Sequence, residues 1–317
     1  MSRVVLGVGA SHTTLMNTKW DEVDHLARAH EFRNALGGAR QLVDASGADL
    51  AVVIGPNHFR GLWLDLMPTF TLGIGEVIGA GEHGTPSGPL PTDPDAARSL
   101  LDHVMADGFD PAFSTTLQVD HGITHAIQYV VPEGMPVVPV IVNSFAPPLP
   151  RVARCARLGA ALGRAVAQLS GDRRVAVIAS GGLSHQLPFP DWRRPDSDDD
   201  RFLVESWTNG RGNWAEYEPR RRGIVTAAPP VLREDFDQRV LSLLDDGRLD
   251  ELTGDGIDLT ALGGNGAAEM RNWVAMAAAC GWAPGRTLTY SPMPEWLTGM
   301  AVAVIDRPFP PDEEPPP

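Results

Sequence analysis

Three histidines in this 317-residue chain stand in the same relation to three short apolar runs: His12 after residues 4–8, His58 after 50–54 and His185 after 175–179. In each case glycine breaks the run before the imidazole, at Gly9, at Gly55 and at Gly181-Gly182. A buried strand that ends in glycine and then presents a polar side chain holds that side chain over a sheet edge. One loop histidine usually makes a single backbone hydrogen bond, whereas three in equivalent positions point to a shared site. Two imidazoles and one carboxylate form the facial triad that holds non-haem Fe(II) and leaves positions open for substrate and oxygen. The carboxylate that suits this role is Glu269, which shares a helical face with Trp273, Met276 and Cys280. An ionised group on an apolar face is costly unless a metal or counter-charge pairs with it. A place near a helix N-terminus would also favour Glu269, so the residues alone leave both readings open.

His121 also carries two readings. With His125 it forms an i, i+4 pair that suits a divalent metal, but the glutamate of a His-Glu-x-x-His motif is missing. Alternatively it is a free acid or base, oriented by its neighbour Asp120; we read His121 as catalytic and His125 as structural. The chain has no Walker-type loop, no Cys-x-x-Cys and no complete dinucleotide fingerprint. Residues 182–186 resemble a nucleophile elbow without its last glycine, which leaves a serine hydrolase weakly supported.

A net charge of −14 argues against nucleic acid or an anionic membrane surface as the main partner and favours a small ligand. Cys155 and Cys280 are too few for a disulfide framework, which suits a reducing cytoplasm. No basic-then-apolar leader opens the chain, and no run reaches the ~18 apolar residues of a membrane span, so a cytoplasmic protein is expected.

The elements that must position these residues alternate strand and helix. Apolar residues at helical spacing put Leu26, Ala29, Phe32, Leu36 and Ala39 on one face of a helix over 21–43. Further helices are expected over 93–106, capped by Asp93, and over 121–131, 151–169, 234–244 and 265–280; strands are expected over 113–119 and 135–142. Residues 59–81 read as strands or loops that wall a pocket. Residues 188–230, rich in Trp, Arg, Asp and Pro, read as a surface excursion, either a lid or an oligomer contact, with charge runs that are ordinary solvated faces. Residues 312–317 read as a disordered tail. The fold class is α/β: one domain over 1–311, an α/β/α sandwich around a central mixed sheet, with its site at the carboxyl ends of strands.

Taken together, Gly9-Ala10-Ser11-His12, Pro56-Asn57-His58, Gln118-Val119-Asp120-His121-Gly122, Ser180-Gly181-Gly182-Leu183-Ser184-His185-Gln186 and Glu269-Met270-Arg271-Asn272-Trp273-Val274-Ala275 resemble the class III extradiol ring-cleavage dioxygenases. Within that family the chain is most similar to the branch acting on 2,3-dihydroxyphenylpropionate. The likeness extends to Asp65-Leu66-Met67-Pro68 and Pro294-Glu295-Trp296-Leu297. It implies Fe(II) held by His12, His58 and Glu269, with His185 as a neutral base and His121 as a protonated acid. It implies a 3-substituted catechol and O2 as substrates, a hydroxymuconate-type product of aromatic catabolism, and a homo-oligomer, whether dimer, tetramer or larger. His185, the first candidate for a ligand from strand position, thereby becomes a catalyst beside the metal. The chain departs from the family at Asn57, where relatives carry Asp, at His125 and over 191–222. Two other readings compete: a Memo-like binding scaffold without catalysis, and a divalent-metal hydrolase using the same ligands.

Overall fold

Apolar runs without alternation become the middle of a sheet, because only a strand covered on both faces can bury every side chain. Leu50–Gly55, Val137–Val142 and Thr298–Ile305 are buried at every position. The computed structural model describes residues 1–306. Its first half runs β1 (Arg3–Ala10), α1 (Leu15–Thr18), α2 (Leu26–Ala45), β2 (Leu50–Gly55), β3 (Phe70–Ala80), β4 (Ser87–Pro89), α3 (Pro94–Ala106), β5 (Ala112–Val119) and α4 (His121–Tyr129). Then follow β6 (Val137–Val142), α5 (Val152–Ala167), β7 (Arg174–Ser180), α6 (Asp198–Asn209), α7 (Trp214–Thr226) and α8 (Glu234–Asp245). The described chain closes with α9 (Leu259–Gly263), α10 (Met270–Ala279), β8 (Arg286–Met293) and β9 (Thr298–Ile305).

The nine strands form one mixed sheet in the order β4-β3-β6-β2-β7-β1-β9-β8, with β5 paired to β3. The central strands β6, β2, β7 and β1 are parallel, and β3 and β9 flank them antiparallel. One face carries a core built from α3, α5, α8 and α10, including Leu100, Leu158, Val240 and Met276. The other is covered by α2 and α4 through Phe32, Leu36 and Ile123. This is the expected α/β domain with a central mixed sheet between helices.

Asp93 caps α3 as its sequence predicts, accepting a hydrogen bond from the Ala96 N–H at 3.0 Å. Four of the five residues expected on the inner face of α2 are buried, but Leu26 is 46% exposed, because the helix begins at that residue. Three departures matter for the site. The 188–230 stretch contains α6 and α7, and its acidic run is a helix start: Ser197 and Asp200 form a reciprocal capping box, with three carboxylates in the first turn. The basic run 220–222 is a solvated face only in part, since Arg220 is exposed but Arg221 is buried. The single helix expected over 265–280 is a 3₁₀ turn, Asn265–Glu269, that passes into α10, so Glu269 lies at the junction. The boundary at 311 and the expected tail over 312–317 lie outside the described residues. Among the described residues no helix is long and apolar enough to cross a membrane.

Candidate active site

Parallel strands put their carboxyl ends on one edge of a sheet, and β1, β2 and β7 are consecutive or near neighbours there. His12, His58 and His185 therefore arrive together, as their strand positions suggest. His12 and His58 have ring centroids 5.2 Å apart. Their Nε2 atoms both face one oxygen, Glu269 Oε1, at 3.5 Å and 3.2 Å. Donors about 2.1 Å from one ion, at right angles, stand roughly 3 Å apart, so each imidazole nitrogen lies near the distance from Glu269 Oε1 that a shared ion requires.

Each ligand atom is aimed by a hydrogen bond at the far side of its own side chain. His58 Nδ1 lies 3.2 Å from Asp120 Oδ1, and the His58 N–H donates to the other oxygen. Asp120 also caps α4, accepting from the Gly122 N–H at 2.9 Å. His12 Nδ1 lies 3.0 Å from Ser180 Oγ. Such partners leave Nε2 of each ring free to face a metal. Asp120 was expected to orient its neighbour His121; it orients His58 instead, because adjacent residues at a helix start diverge.

His121 is held by a residue the sequence did not single out. Glu82 Oε1 accepts from the His121 backbone N–H at 2.8 Å and lies 2.8 Å from Nδ1. The His121 ring stacks on His58 with centroids 4.0 Å apart. It does not reach the site by the route of the other three, since β5 pairs with β3 rather than with the parallel strands. Instead the start of α4 presses on the end of β2: a Cβ at Gly55 would lie 2.2 Å from the Gly122 carbonyl oxygen. Glu82 has no signal in local sequence, because its partner is 39 residues away.

His185 Nδ1 lies 3.2 Å from the Leu183 carbonyl and 3.1 Å from Thr298 Oγ1. With Nδ1–H donating to that carbonyl, Nε2 carries the free lone pair. The ring lies against the Gly266 backbone, where a Cβ would meet Nε2 at 2.0 Å. Of the paired glycines, Gly181 makes room for Glu269 and Gly182 for Met270. Gly181 has φ of +111°, and a Cβ there would lie 2.6 Å from Glu269 Oε2; the Gly182 N–H donates to that same oxygen at 2.6 Å. His125 is buried beside His12, with centroids 6.2 Å apart, and its Nε2 has no partner among the described residues.

Electrostatics separates the imidazoles. Burial would lower His58, but Asp120 and Glu269 more than offset it and raise it to about 9. Burial pulls His12 down to about 4 against the attraction of Glu269. Burial would raise Glu269, which is 1% exposed, yet the surrounding imidazoles hold it down to about 2. A carboxylate this deep stays ionised only with such neighbours. Burial keeps His185 below the usual histidine range. Burial, with His58 and His12 nearby, pushes His121 well below that range, while burial raises Glu82. The resemblance implies a protonated His121; in the metal-free site burial and the neighbouring imidazoles disfavour that charge, and the carboxyl group facing its Nδ1 is Glu82.

His12, His58, His121 and His185 all line one small chamber of about 70 Å³. It shares Arg60, His83 and Arg222 with an open cleft of about 1220 Å³. Two overlapping groups of side chains could hold a metal ion, His12 with His58 and His121, and Glu82 with Asp120 and His121. The second has its carboxylates already committed to imidazoles. Glu269 Oε1 also faces the Nε2 atoms of His12 and His58, beside the first of these groups.

Residues 7–301 match the family described as the catalytic LigB subunit of aromatic ring-opening dioxygenase. The chain is 35% identical over 283 residues to a 2,3-dihydroxyphenylpropionate/2,3-dihydroxicinnamic acid 1,2-dioxygenase of Rhodococcus jostii (strain RHA1), covering 85% of this chain and 88% of the relative. It is 37% identical over 279 residues to a protein of the same name from Burkholderia vietnamiensis (strain G4 / LMG 22486), covering 82% and 85%. A solved structure of an uncharacterized protein from Escherichia coli K12 covers 95% of this chain and 99% of that one, at 14% identity and a TM-score of 0.47.

Proposed function

The chain belongs to the family of the catalytic LigB subunit of aromatic ring-opening dioxygenases, and from that premise we propose that it is an Fe(II)-dependent extradiol dioxygenase of 3-substituted catechols. It is a ring-cleaving dioxygenase; the metal, the catechol and the site of cleavage are what the proposal adds. The observation that carries it is the convergence of His12 Nε2 and His58 Nε2 on Glu269 Oε1, within a chamber that His121 and His185 also line. Two imidazole nitrogens and one carboxylate suit Fe(II) and would leave positions open for other ligands, with His58, raised to about 9 without metal, giving up its proton on binding.

His12, His58 and Glu269 would hold the metal. Bound there, Fe(II) would supply a Lewis-acidic centre for the catechol oxygens and a site for O2. The protein's own residues do the rest. His185 Nε2, kept neutral by burial and aimed by Leu183 and Thr298, takes a proton from a ring hydroxyl. His121 gives a proton from Nε2 to the developing oxygen anion while its Nδ1 draws on Glu82. Asp120 and Ser180 hold the two ligand imidazoles in orientation. Cleavage outside the diol yields a hydroxymuconate-type acid.

The test is to load the protein with Fe(II) without oxygen, add a panel of 3-substituted catechols and then admit O2. One O2 consumed per ring, with a rise in visible absorbance, is the expected result. No uptake with any catechol would leave the scaffold reading standing. Zinc in the isolated protein together with ester or amide turnover would favour the hydrolase.

A further inference from the structure

Beside the histidines, the chamber wall holds two buried guanidinium groups whose hydrogen-bond donors are not all met. Arg60 is 4% exposed and Arg221 5% exposed, and both line the chamber. One carboxylate, Glu218, lies between them: 2.9 Å from Arg60 Nη2, 3.5 Å from Arg221 Nη1 and 2.9 Å from His83 Nε2. Glu82 and Asp120 are occupied by His121 and His58. Arg222, also in the wall, donates to the hydroxyls of Thr14 and Thr18 and has no carboxylate within ion-pair distance among the described residues. The Nε atoms of Arg60 and Arg221 are buried without a hydrogen-bond partner.

A guanidinium offers five N–H donors, and a buried one left short of acceptors is costly. Arg60 is already fixed, stacked 3.4 Å from the Trp214 ring centroid and bonded to Glu218. Arg221 is held by longer contacts: its nearest carboxylate is Glu218 at 3.5 Å, and its guanidinium lies 5.1 Å from the Trp214 and 5.6 Å from the Phe189 ring centroid. Both Arg221 and Trp214 come from α7, within the 188–230 excursion. The chamber is about the size of a single ring, while Arg60 and Arg222 also border the open cleft.

Resting on the ring-cleavage reading above, we infer that Arg221 of α7, flanked by Arg60 and Arg222, is the specificity-determining residue that binds a carboxylate on the substituent of the catechol. The ring would sit among the histidines and the substituent would lie along the α7 wall towards the cleft. The excursion is then a recognition wall, and an acidic substituent supplies the acceptors its guanidinium groups lack.

The test uses 3-(2,3-dihydroxyphenyl)propionate and its uncharged amide. Binding to the Fe(II)-loaded protein without oxygen is measured by calorimetry, and oxygen uptake is measured separately. Wild type should bind the acid at least tenfold more tightly than the amide, roughly the effect of one charge-assisted hydrogen bond. Arg221→Met should shrink that ratio to near one, and Arg221→Lys should keep part of it. Taking the ratio of two ligands on one protein cancels general damage from the substitution. Should Arg221→Met fail to fold, Arg221→Lys decides: a ratio reduced from wild type supports the inference and an unchanged one overturns it. Equal binding of acid and amide by wild type, or a ratio that survives in Arg221→Met, overturns the inference even if both catechols are cleaved. If the ratio behaves as expected and no oxygen is consumed, the ring-cleavage reading falls and the anion-binding wall stands.

Discussion

Glu269 shows how much one buried carboxylate requires of its surroundings. Its charge is offset by two imidazoles and by the Gly182 N–H, and each imidazole is turned towards it by a hydrogen bond on its other nitrogen. Asp120 and Glu82 look alike in composition, yet they serve different histidines. Asp120→Asn should lower metal affinity roughly 10–100-fold, the usual cost of losing a carboxylate behind a metal-bound histidine. Titration of the variant with Fe(II) checks this. Glu82→Gln should leave metal affinity near wild type and lower kcat by about 10–100-fold, because it removes the proton reserve of the acid. Metal affinity falling in Glu82→Gln and not in Asp120→Asn would reverse the two assignments.

At the scale of elements, strand ends bring the ligands together and backbone proximity refines their positions. The loop after β7 can pass Glu269 only because Gly181 takes a φ of +111° and has no Cβ. Gly181→Ala should destabilise the protein by about 1–3 kcal/mol through backbone strain alone. It should also weaken metal binding by displacing Glu269, so thermal melts with and without Fe(II) should show a smaller metal-induced shift than wild type. α6 sits on the loops after β2 and β6 through a small core of its own. Trp207 stacks on Phe59 with centroids 4.3 Å apart, and Phe145, Trp63 and Leu203 close around the pair. Trp207→Ala should cost about 3–5 kcal/mol if this core is cooperative with the domain. Denaturant unfolding followed by two probes distinguishes that from local loosening of α6 and α7.

For the whole molecule, a buried group behind the site couples stability to pH. Asp237 accepts hydrogen bonds from the Ser184 N–H and hydroxyl and from Tyr290, each at 2.8 Å. Burial outweighs these donors and raises it to about 6, from an ordinary 3.8. The folded state therefore binds the proton more tightly than the unfolded chain. The resulting stabilisation is complete below about pH 4 and is lost as pH rises through 6, a change of about 3 kcal/mol. In metal-free protein, Asp237→Asn should remove this falling limb. Urea midpoints for wild type and variant from pH 4 to 8 would show parallel curves if Asp237 does not titrate as described. Glu269 acts in the opposite sense and at lower pH, since its folded value of about 2 gives stability that is lost only as pH falls towards that value.

The sequence by itself determined what local pattern and residue type can carry. Period and apolar runs specified the strands that precede His12, His58 and His185, and the connections between them are long enough for helical crossovers, whereas the order in which β2, β7 and β1 pair is set by the fold. The capping of α3 by Asp93 was equally legible, because a cap and its helix are neighbours in the chain. Contacts between distant residues were left to the tertiary structure. Only packing decides that Asp120 turns to His58, that Glu82 holds His121, and that the glycines after β7 accommodate a carboxylate 87 residues further on. The basic run 220–222 gives the plainest case. Charge alone reads as a solvated face, and only the seating of α6 and α7 over the strand ends buries Arg221 beside the histidines. Desolvation depends on the whole assembly, so the ionisation of the site and the charge of its wall belong to the fold rather than to any stretch of sequence.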